Sequence, residues 1–462
     1  MKTHPRTIHW RPPLLIALGV LLTGLAGWYV AFRGVSFKEP IALLVAAFGL
    51  AAVLAGGRGI RVGFVCWVLT FAIGYRTIQL SYALLIHPSE VLLWVLALLA
   101  LVQYIIFRRG SMKFWLPGWL WLLMPFWAWG WLTGWQAGNL WDSMLAELRD
   151  FMLFIPLFIV AEAVLAERRY WRALLVAFFC TSASIAGMGV LEYYFPGVRG
   201  LLPGFLSSQG AIVSADGFLR ASFSFWGTPA ATFICALALP LAIVLWEWYP
   251  ARRLRLLLLG MLGLQLLAIY IGGYRSIWYI AAVELALFFI LRYGLLPGAL
   301  ALLPLLAGVQ FLPQITQQRA LSTLLFFQGQ STESSLVKRY DRASNALELA
   351  LRQPWGVGWA GSGWPHNDFL QVAANLGLLA GLVFFGGYLA ALVRLGRRVW
   401  RMPHQGEAFA LGFALLLAFI AAGGLLAMEG VQVLPQLALP VWLVWVLVEV
   451  WLRQAPAEDS AA

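Results

Sequence analysis

Residues 407–428 read EAFALGFALLLAFIAAGGLLAM, and this stretch decides the class of fold. Its only charged residue, Glu407, stands at the first position, and a helix needs about 20 apolar residues to cross a bilayer. Runs of the same kind recur outward in both directions along the chain. We count 14 candidates: 14–32, 40–56, 62–80, 91–107, 115–133, 151–166, 172–191, 229–249, 254–273, 276–291, 295–312, 368–393, 407–428 and 437–452. Because several are short, the sequence predicts 12–14 transmembrane helices in an all-α polytopic bundle.

The composition supports a membrane protein. Of the 462 residues, 62% are hydrophobic and 11% are charged, whereas soluble domains carry about 25% charged residues. The 24 tryptophans are expected at the headgroup level, where indole rings settle. Three cysteines, each inside an apolar run and without a CxxC spacing, are expected to be small buried hydrophobes. The basic head before Leu14 precedes a run without a clear cleavage site, which predicts an uncleaved first helix.

The basic residues predict the orientation. Lysine and arginine accumulate on the cytoplasmic side of membrane proteins, so the net charge of +12 indicates topology and no nucleic-acid partner is expected. With both termini in the cytoplasm, 20 of the 32 basic residues fall in short cytoplasmic segments next to the helix ends. The sequence thus predicts a multi-pass protein of a bacterial inner membrane.

Four regions follow from this topology. Residues 1–312 form transmembrane helices with an outer loop at 192–228, and 313–367 form an extracytoplasmic, helical and catalytic loop. Residues 368–453 form the C-terminal transmembrane helices, and 454–462 form a disordered tail. Function is expected in the two long outer loops, since binding and catalytic residues concentrate in loops.

The outer loops contain basic residues, although the positive-inside rule favours such residues on the cytoplasmic side. Their presence in the outer loops therefore needs another explanation. Residues 334–375 read SSLVKRYDRASNALELALRQPWGVGWAGSGWPHNDFLQVAAN. The first part predicts a helix that begins at Ser334 or Ser335 and ends before Pro354. Arg339 and Arg342 share one face of it, because residues three apart are neighbours on a helix. A Gly/Trp-rich turn then leads to His366 at the start of the next apolar run.

This stretch resembles the signature region of the O-antigen ligase/polymerase family. The family pattern has an arginine and a helix, then an "hPxGvG" turn, then "HN" before an apolar helix with a glycine-rich end. The matching residues here are Arg339, the helix through Arg352, Gln353-Pro354-Trp355-Gly356-Val357-Gly358, His366-Asn367 and Leu376-Gly377-Leu378-Leu379-Ala380-Gly381. Two upstream elements also match, Gly273-Tyr274-Arg275-Ser276 and Arg220 with Gly227-Thr228-Pro229. Tyr274 departs from the family's usual serine, and Asp368 follows His-Asn where the family varies.

The resemblance implies a transferase that takes a glycan from an undecaprenyl diphosphate carrier and passes it to an acceptor hydroxyl. This reaction is expected at the outer face of the inner membrane. By this likeness Arg275 and Arg339 are expected to bind the diphosphate, and His366 to activate the acceptor. Arginine suits phosphate through its planar fork of donors, and histidine suits general-base work near neutral pH. Four further residues are candidates for substrate binding or for orienting the imidazole: Arg220, Arg342, Asn367 and Asp368. No metal or cofactor is expected.

Several alternatives stay open. The donor is expected to be lipid-linked, but the acceptor can be a glycolipid, a glycan or a protein, and a repeat-unit polymerase would use the same chemistry. A transporter or lipid-linked glycan flippase is the rival from another class. Glu284, inside an apolar run, either pairs with a neighbouring helix or lines a cavity. His366 can instead be a helix cap. Arg339 and Arg342 can belong to a solvated helix face, and Arg275 can be an interfacial anchor.

Overall fold

The structure is a computed structural model. It describes residues 57–73, 78–79, 85–86, 88–105, 115–195, 211–213, 219–221, 223, 228–308, 313–328, 334–430 and 435–454. The first two predicted spans, 14–32 and 40–56, lie outside the described residues, as does the tail from 455 onward. Gln454, which we assigned to that tail, instead ends the last helix and accepts a hydrogen bond from the Trp171 indole at 3.3 Å.

The described chain is an all-α polytopic helix bundle, as predicted. In chain order its helices are α1 (Gly57–Leu69), α2 (Pro88–Ile105), α3 (Gly118–Gln136), α4 (Trp141–Met152), α5 (Phe154–Leu165), α6 (Arg168–Tyr194), α7 (Thr228–Ala238), α8 (Leu241–Trp248), α9 (Arg252–Gly272), α10 (Arg275–Tyr293), α11 (Leu295–Gly308), α12 (Gln314–Phe327), α13 (Ser334–Arg352), α14 (Asp368–Leu376), α15 (Leu378–Arg401), α16 (Glu407–Met428) and α17 (Pro435–Gln454).

Short non-helical elements interrupt two predicted segments. A 3₁₀ turn, Thr70–Ile73, ends α1, and strands β1 (Ile78–Gln79) and β2 (Leu85–Ile86) pair antiparallel after it. The predicted span 62–80 is therefore too long. Within the predicted outer loop 192–228, strands β3 (Ala211–Val213) and β4 (Leu219–Ala221) form a second antiparallel pair.

Six described helices are long and apolar enough to cross a membrane, or seven if the bent pair α7–α8 is one span. The chain is therefore a multi-pass membrane protein. The predicted total of 12–14 spans is not reached in the described part, because several predicted runs form short helices. The run 151–166 yields α5 of 12 residues and 295–312 yields α11 of 14 residues.

Two predicted spans are broken. In 229–249 the chain bends by 45° at Leu239-Pro240, which separates α7 from α8. Proline lacks the N–H that continues a helix, and its ring clashes with the preceding turn. In 368–393 the helix stops at Gly377, whose φ of +104° favours glycine, so α14 and α15 are separate.

The core is aromatic. Trp442, Trp445, Phe154 and Phe384 form a cluster with Trp119, with ring centroids 4.3–6.3 Å apart. Aromatic packing in the bundle buries these residues. The expected position of tryptophan at the headgroup level stays a prediction.

The bundle has two chemically different ends. One end carries arginine clusters at the starts of α6 and α9 and at the ends of α10 and α15, and there Arg168 and Arg172 both bond Glu407. We call this the basic end. The opposite end holds the α9–α10 junction, α13 and the turn before α14. We call it the site end.

Candidate functional site

The α9–α10 junction is the first part of the site. Helix α9 ends at Gly273, whose φ of +67° allows the reversal that starts α10 at Arg275. The guanidinium of Arg275 donates to Ser322 on α12 at 2.5 Å and to Ser335 on α13 at 3.0 Å. The Arg319 side chain of α12 donates to the Gly273 carbonyl at 3.2 Å. The two outer helices are thereby fixed against the junction.

Helix α13 confirms the predicted element in both of its bounds. It packs an alanine face, Ala346 and Ala350, against Ala373 and Ala374 of α14. Small side chains allow the two helices to approach closely, so α13 is held over the end of the bundle. Its N-terminal half then presents Arg339 and Arg342 to the residues that follow α16 and precede α14.

Glu429 organises the centre of the site. Its carboxylate accepts two hydrogen bonds from Arg339, at 2.9 and 3.3 Å, and one from the Ser276 hydroxyl. Arg339 also donates to the Met428 carbonyl at 3.1 Å. The Glu429 side chain is 6% exposed and that of Arg339 is 35% exposed, so the ion pair is covered on the acid side and open on the guanidinium side.

Tyr274 and Arg220 complete the cluster. The Arg220 guanidinium hydrogen-bonds the Tyr274 side chain and lies 5.1 Å from its ring centre. Burial lowers the pKa of Arg220, and the charges of Arg275 and Arg339 lower it further. Burial and the nearby Glu429 carboxylate raise the pKa of the Tyr274 phenol, so it stays a neutral donor. Tyr274, the departure from the family pattern, therefore anchors one of the predicted arginines.

His366 lies beside this cluster with a strained backbone. Its φ of +57° is in the left-handed region, which non-glycine residues adopt at a cost of about 1–3 kcal/mol and mostly at functional sites. The ring stacks on Trp364 with centroids 4.2 Å apart, and the Trp364 indole donates to the Gly430 carbonyl at 3.3 Å. Gly430 permits this close approach, because a Cβ there would lie 2.6 Å from the Trp364 Nε1.

The protonation of His366 follows from its partner. Arg342 Nη1 lies 3.1 Å from His366 Nε2, and arginine can only donate, so Nε2 accepts and the imidazole is neutral. Burial lowers the pKa of His366, and the positive charge of Arg339 lowers it further. The Glu429 carboxylate raises this pKa. The residue is therefore held in the form that a general base requires.

The Gly/Trp-rich turn carries His366 and is fixed by backbone contacts. Gly358 donates to the Asn375 carbonyl at 2.9 Å, and Trp359 donates to the Gly130 carbonyl of α3 at 3.0 Å. Glu147 on α4 accepts from the Ala360 amide at 2.9 Å and from Asn375 Nδ2 at 2.8 Å. The role predicted for this turn, to bring His366 near the arginine helix, agrees with the distance of 3.1 Å between His366 Nε2 and Arg342 Nη1.

Two predicted substrate-binding residues have other roles in this conformation. Asn367 caps α14 by accepting from the Leu370 amide at 3.0 Å, and its amide donates to the Ala427 carbonyl at 3.0 Å. Asp368 is fully buried at the first position of α14. Asn367 is partly exposed and Asp368 is buried, and their part in substrate binding stays a prediction.

The other five predicted site residues converge at the site end. Arg220 lies on Tyr274, Arg339 pairs with Glu429, and Arg275 is near enough for its charge to act on Arg220. Arg342 contacts His366. The sequence reasoning missed Glu429 and Ser276. A glutamate that directly follows an apolar helix, as Glu429 follows α16, was the available signal, because a carboxylate there is costly unless it is paired.

The site is thus a positively charged cluster with a neutral histidine, at one end of a multi-pass helical membrane protein. Comparison with protein-family models and with curated proteins finds no match to this chain. The family resemblance therefore rests on the motif residues of the sequence alone.

Proposed function

We propose that this protein is a glycosyltransferase that moves a glycan from an undecaprenyl diphosphate carrier to an acceptor hydroxyl. The observation that carries the proposal is a group of three arginines with a neutral histidine beside it. Arg220 lies on Tyr274, Arg339 pairs with Glu429, and the charge of Arg275 acts on Arg220. A diphosphate is the anion that such a cluster fits, because several arginines can bind its oxygens at once.

Arg275 and Arg339 are the proposed diphosphate ligands. Arg339 keeps about a third of its side chain exposed while Glu429 fixes its direction. Arg275 donates to the hydroxyls of Ser322 and Ser335, which orient its guanidinium group. Fixed positive groups aimed at the leaving group stabilise the negative charge that grows there in the transition state.

His366 is the proposed base. The acceptor oxygen attacks the anomeric carbon of the donor sugar, and the bond from that carbon to the phosphate oxygen breaks. The hydroxyl proton goes to His366 Nε2, and undecaprenyl diphosphate leaves with the bonding electron pair. Arg342 lies on Nε2 in this structure. A phosphate oxygen of the bound donor would attract Arg342 and thereby uncover the base.

The orientation follows from the charge at the basic end. If that end faces the cytoplasm, as the positive-inside rule favours, the site faces the periplasm or cell exterior. The protein would then work at the outer face of a bacterial inner membrane, with the polyprenyl tail of the donor in the lipid. A repeat-unit polymerase of the same family would use the same site with a lipid-linked acceptor.

One observation favours a transporter as a second candidate. Glu284 lies inside α10 near the break at Leu239-Pro240, and intramembrane acids and broken helices are typical of transporters. The charge at the site end favours the transferase, because a transporter has less need of an anion cluster at one membrane face.

The test uses the full chain in lipid nanodiscs with an undecaprenyl diphosphate-linked oligosaccharide and a panel of glycolipid, glycan and protein acceptors. We expect the wild type to release undecaprenyl diphosphate, with and without EDTA. We expect His366→Ala, Arg339→Ala and Arg275→Ala to lose about 10²-fold or more in rate, the usual cost of removing a base or a charge-stabilising group.

Matched controls keep the test specific. Arg352→Ala removes an arginine of α13 that pairs with Glu348 away from the site, and His404→Ala removes a histidine at the basic end. Both should retain the wild-type rate. Folded site variants that turn over donor as fast as the controls would remove the transferase proposal and favour the transporter.

A further inference from the structure

A second feature of the bundle lies far from the site end. A cavity of about 440 Å³ opens between α8, α9, α10 and α16, within the size range of small-molecule sites. Its wall is mostly apolar and includes Ile243, Leu266, Phe288 and Phe413, and the helix break at Leu239-Pro240 borders it.

Glu284 is the exception in this apolar wall. It is 3% exposed, and neither carboxylate oxygen has a hydrogen-bond partner among the described residues. It stands nine positions from each end of α10, Arg275 and Tyr293, which at about 1.5 Å per residue places it near mid-depth. Buried charges without a partner are costly, and acids inside spans usually mark a binding site. The alternatives left open by the sequence are thus decided in favour of a cavity.

The cavity runs from this acid toward the basic end. Arg292, Tyr293, Gln405 and Gly406 line it there, about 12 Å along α10 from Glu284 by the same rise per residue. Arg292 donates to the His404 carbonyl at 2.6 Å, so its guanidinium is held at the rim. Glu247 is a second acid in the lining. A ligand can therefore enter at headgroup level and place one end beside Glu284.

We propose that this cavity binds an amphiphilic primary amine, with the ammonium group on Glu284 and the alkyl part against the apolar wall. An ammonium ion carries three N–H donors and no acceptor, so it satisfies both orphan oxygens. The lining has two acids, Glu247 and Glu284, against one arginine, Arg292, and this balance disfavours an anionic head. A hard metal ion would need six or more oxygen ligands, and no metal-binding group of three acids, histidines or cysteines occurs among the described residues.

The proposal is independent of the transferase proposal. Glu284 lies near the middle of α10, whereas the proposed diphosphate site lies at the site end, where α10 begins. The same ammonium chemistry can come from an aminolipid of the bilayer or from a water-borne alkylamine. The experiment separates these two sources.

The test is protection of Glu284 from a hydrophobic carbodiimide, which reacts with carboxyl groups inside membranes. The full chain in phosphatidylcholine nanodiscs is labelled with dicyclohexylcarbodiimide, and the Glu284 peptide that keeps its free carboxyl group is quantified by mass spectrometry, so that both the N-acylurea and any amide formed with an added amine count as reaction. We expect dodecylamine to slow the labelling about tenfold, and dodecanol of equal chain length to have little effect, since a charged hydrogen bond is the difference. Glu449, which is buried but paired with Arg394 at 3.0 Å, is the matched control and should show no protection.

The source is tested by replacing part of the phosphatidylcholine with phosphatidylethanolamine. Protection without added amine assigns the site to the aminolipid, and protection by dodecylamine alone assigns it to a water-borne amine. Equal effects of dodecylamine and dodecanol, or protection by sodium chloride but not by choline chloride, would overturn the proposal.

A second measurement applies if the carbodiimide does not reach Glu284. Dodecylamine should raise the thermal unfolding temperature of the wild type but not of Glu284→Gln, which has nearly the same shape. Equal shifts in the two proteins would also overturn the proposal.

Discussion

Glu429→Gln tests whether a carboxylate that the motif does not contain sets the direction of Arg339. The wild-type carboxylate accepts two hydrogen bonds from that guanidinium, at 2.9 and 3.3 Å. Glutamine has nearly the same shape but replaces one acceptor oxygen with a donor, which would face the guanidinium. Arg339 keeps its charge in this variant and loses its orientation.

The expected magnitude follows from these contacts. A hydrogen bond to a charged group contributes about 1.5–3 kcal/mol and a neutral one about 0.5–1.5 kcal/mol. We therefore expect a loss of about 2 kcal/mol in the orientation of Arg339, or roughly 30-fold in kcat. Removal of the negative charge of Glu429 has a favourable effect on the binding of the anionic donor. At the separations within this cluster it should strengthen diphosphate binding by about 0.5–1 kcal/mol, which lowers KM for the donor about two- to fivefold.

The assay measures initial rates of undecaprenyl diphosphate release in nanodiscs over a range of donor concentrations. Glu348→Gln is the control, because this glutamate of α13 is exposed and pairs only with Arg352 in the contacts we find. The reasoning is refuted if kcat stays within about twofold of the wild type, or if KM for the donor rises. A rise in KM would mean that Glu429 binds the substrate itself.

Two further predictions concern His366 and the turn that carries it. Because burial and the charge of Arg339 lower the pKa of His366, the base form is present at neutral pH, and kcat/KM should fall only as pH drops below 6.5. Arg342→Gln removes a charge that lowers this pKa, so the acid limb should move to higher pH; an unmoved limb in the pH–rate profile would contradict the assignment. Gly358→Ala should reduce thermal stability strongly, since the added Cβ would lie 2.0 Å from the Gly134 nitrogen. Gly260→Ala is the control, because its Cβ would have nothing within 4 Å, and it should be neutral or stabilising by up to about 1 kcal/mol.

The parts of the site that the sequence predicted are those encoded locally. Arg339 and Arg342 share a helix face because their spacing is three residues, and His366 follows within one short turn. Hydrophobic runs likewise predicted the helical bundle, because each bilayer span is a property of one continuous segment. Such features need no knowledge of which helices are neighbours.

Glu429 and the cavity acid required the tertiary structure. Glu429 lies 90 residues after Arg339 in the chain, so only tertiary packing, of α13 on α14 and of α10 on α16, brings the two side chains together. Hydropathy also cannot locate a helix break, because a run that contains Pro240 or Gly377 scores as apolar throughout. These two residues were visible signals, and breaker residues inside apparent spans should have divided 229–249 and 368–393.

The charge balance of the site end links its structure to the proposed chemistry. Among the described residues, Arg220, Arg275 and Arg339 carry positive charges, and Glu429 carries the opposing negative charge beside Arg339. A diphosphate diester is an anion at neutral pH and is therefore of opposite charge to these arginines. Burial lowers the pKa of Arg220, and the charges of Arg275 and Arg339 lower it further. In the proposed reaction a bound diphosphate would offset this repulsion, and the negative charge that grows on it during transfer would be stabilised by groups that are already in place.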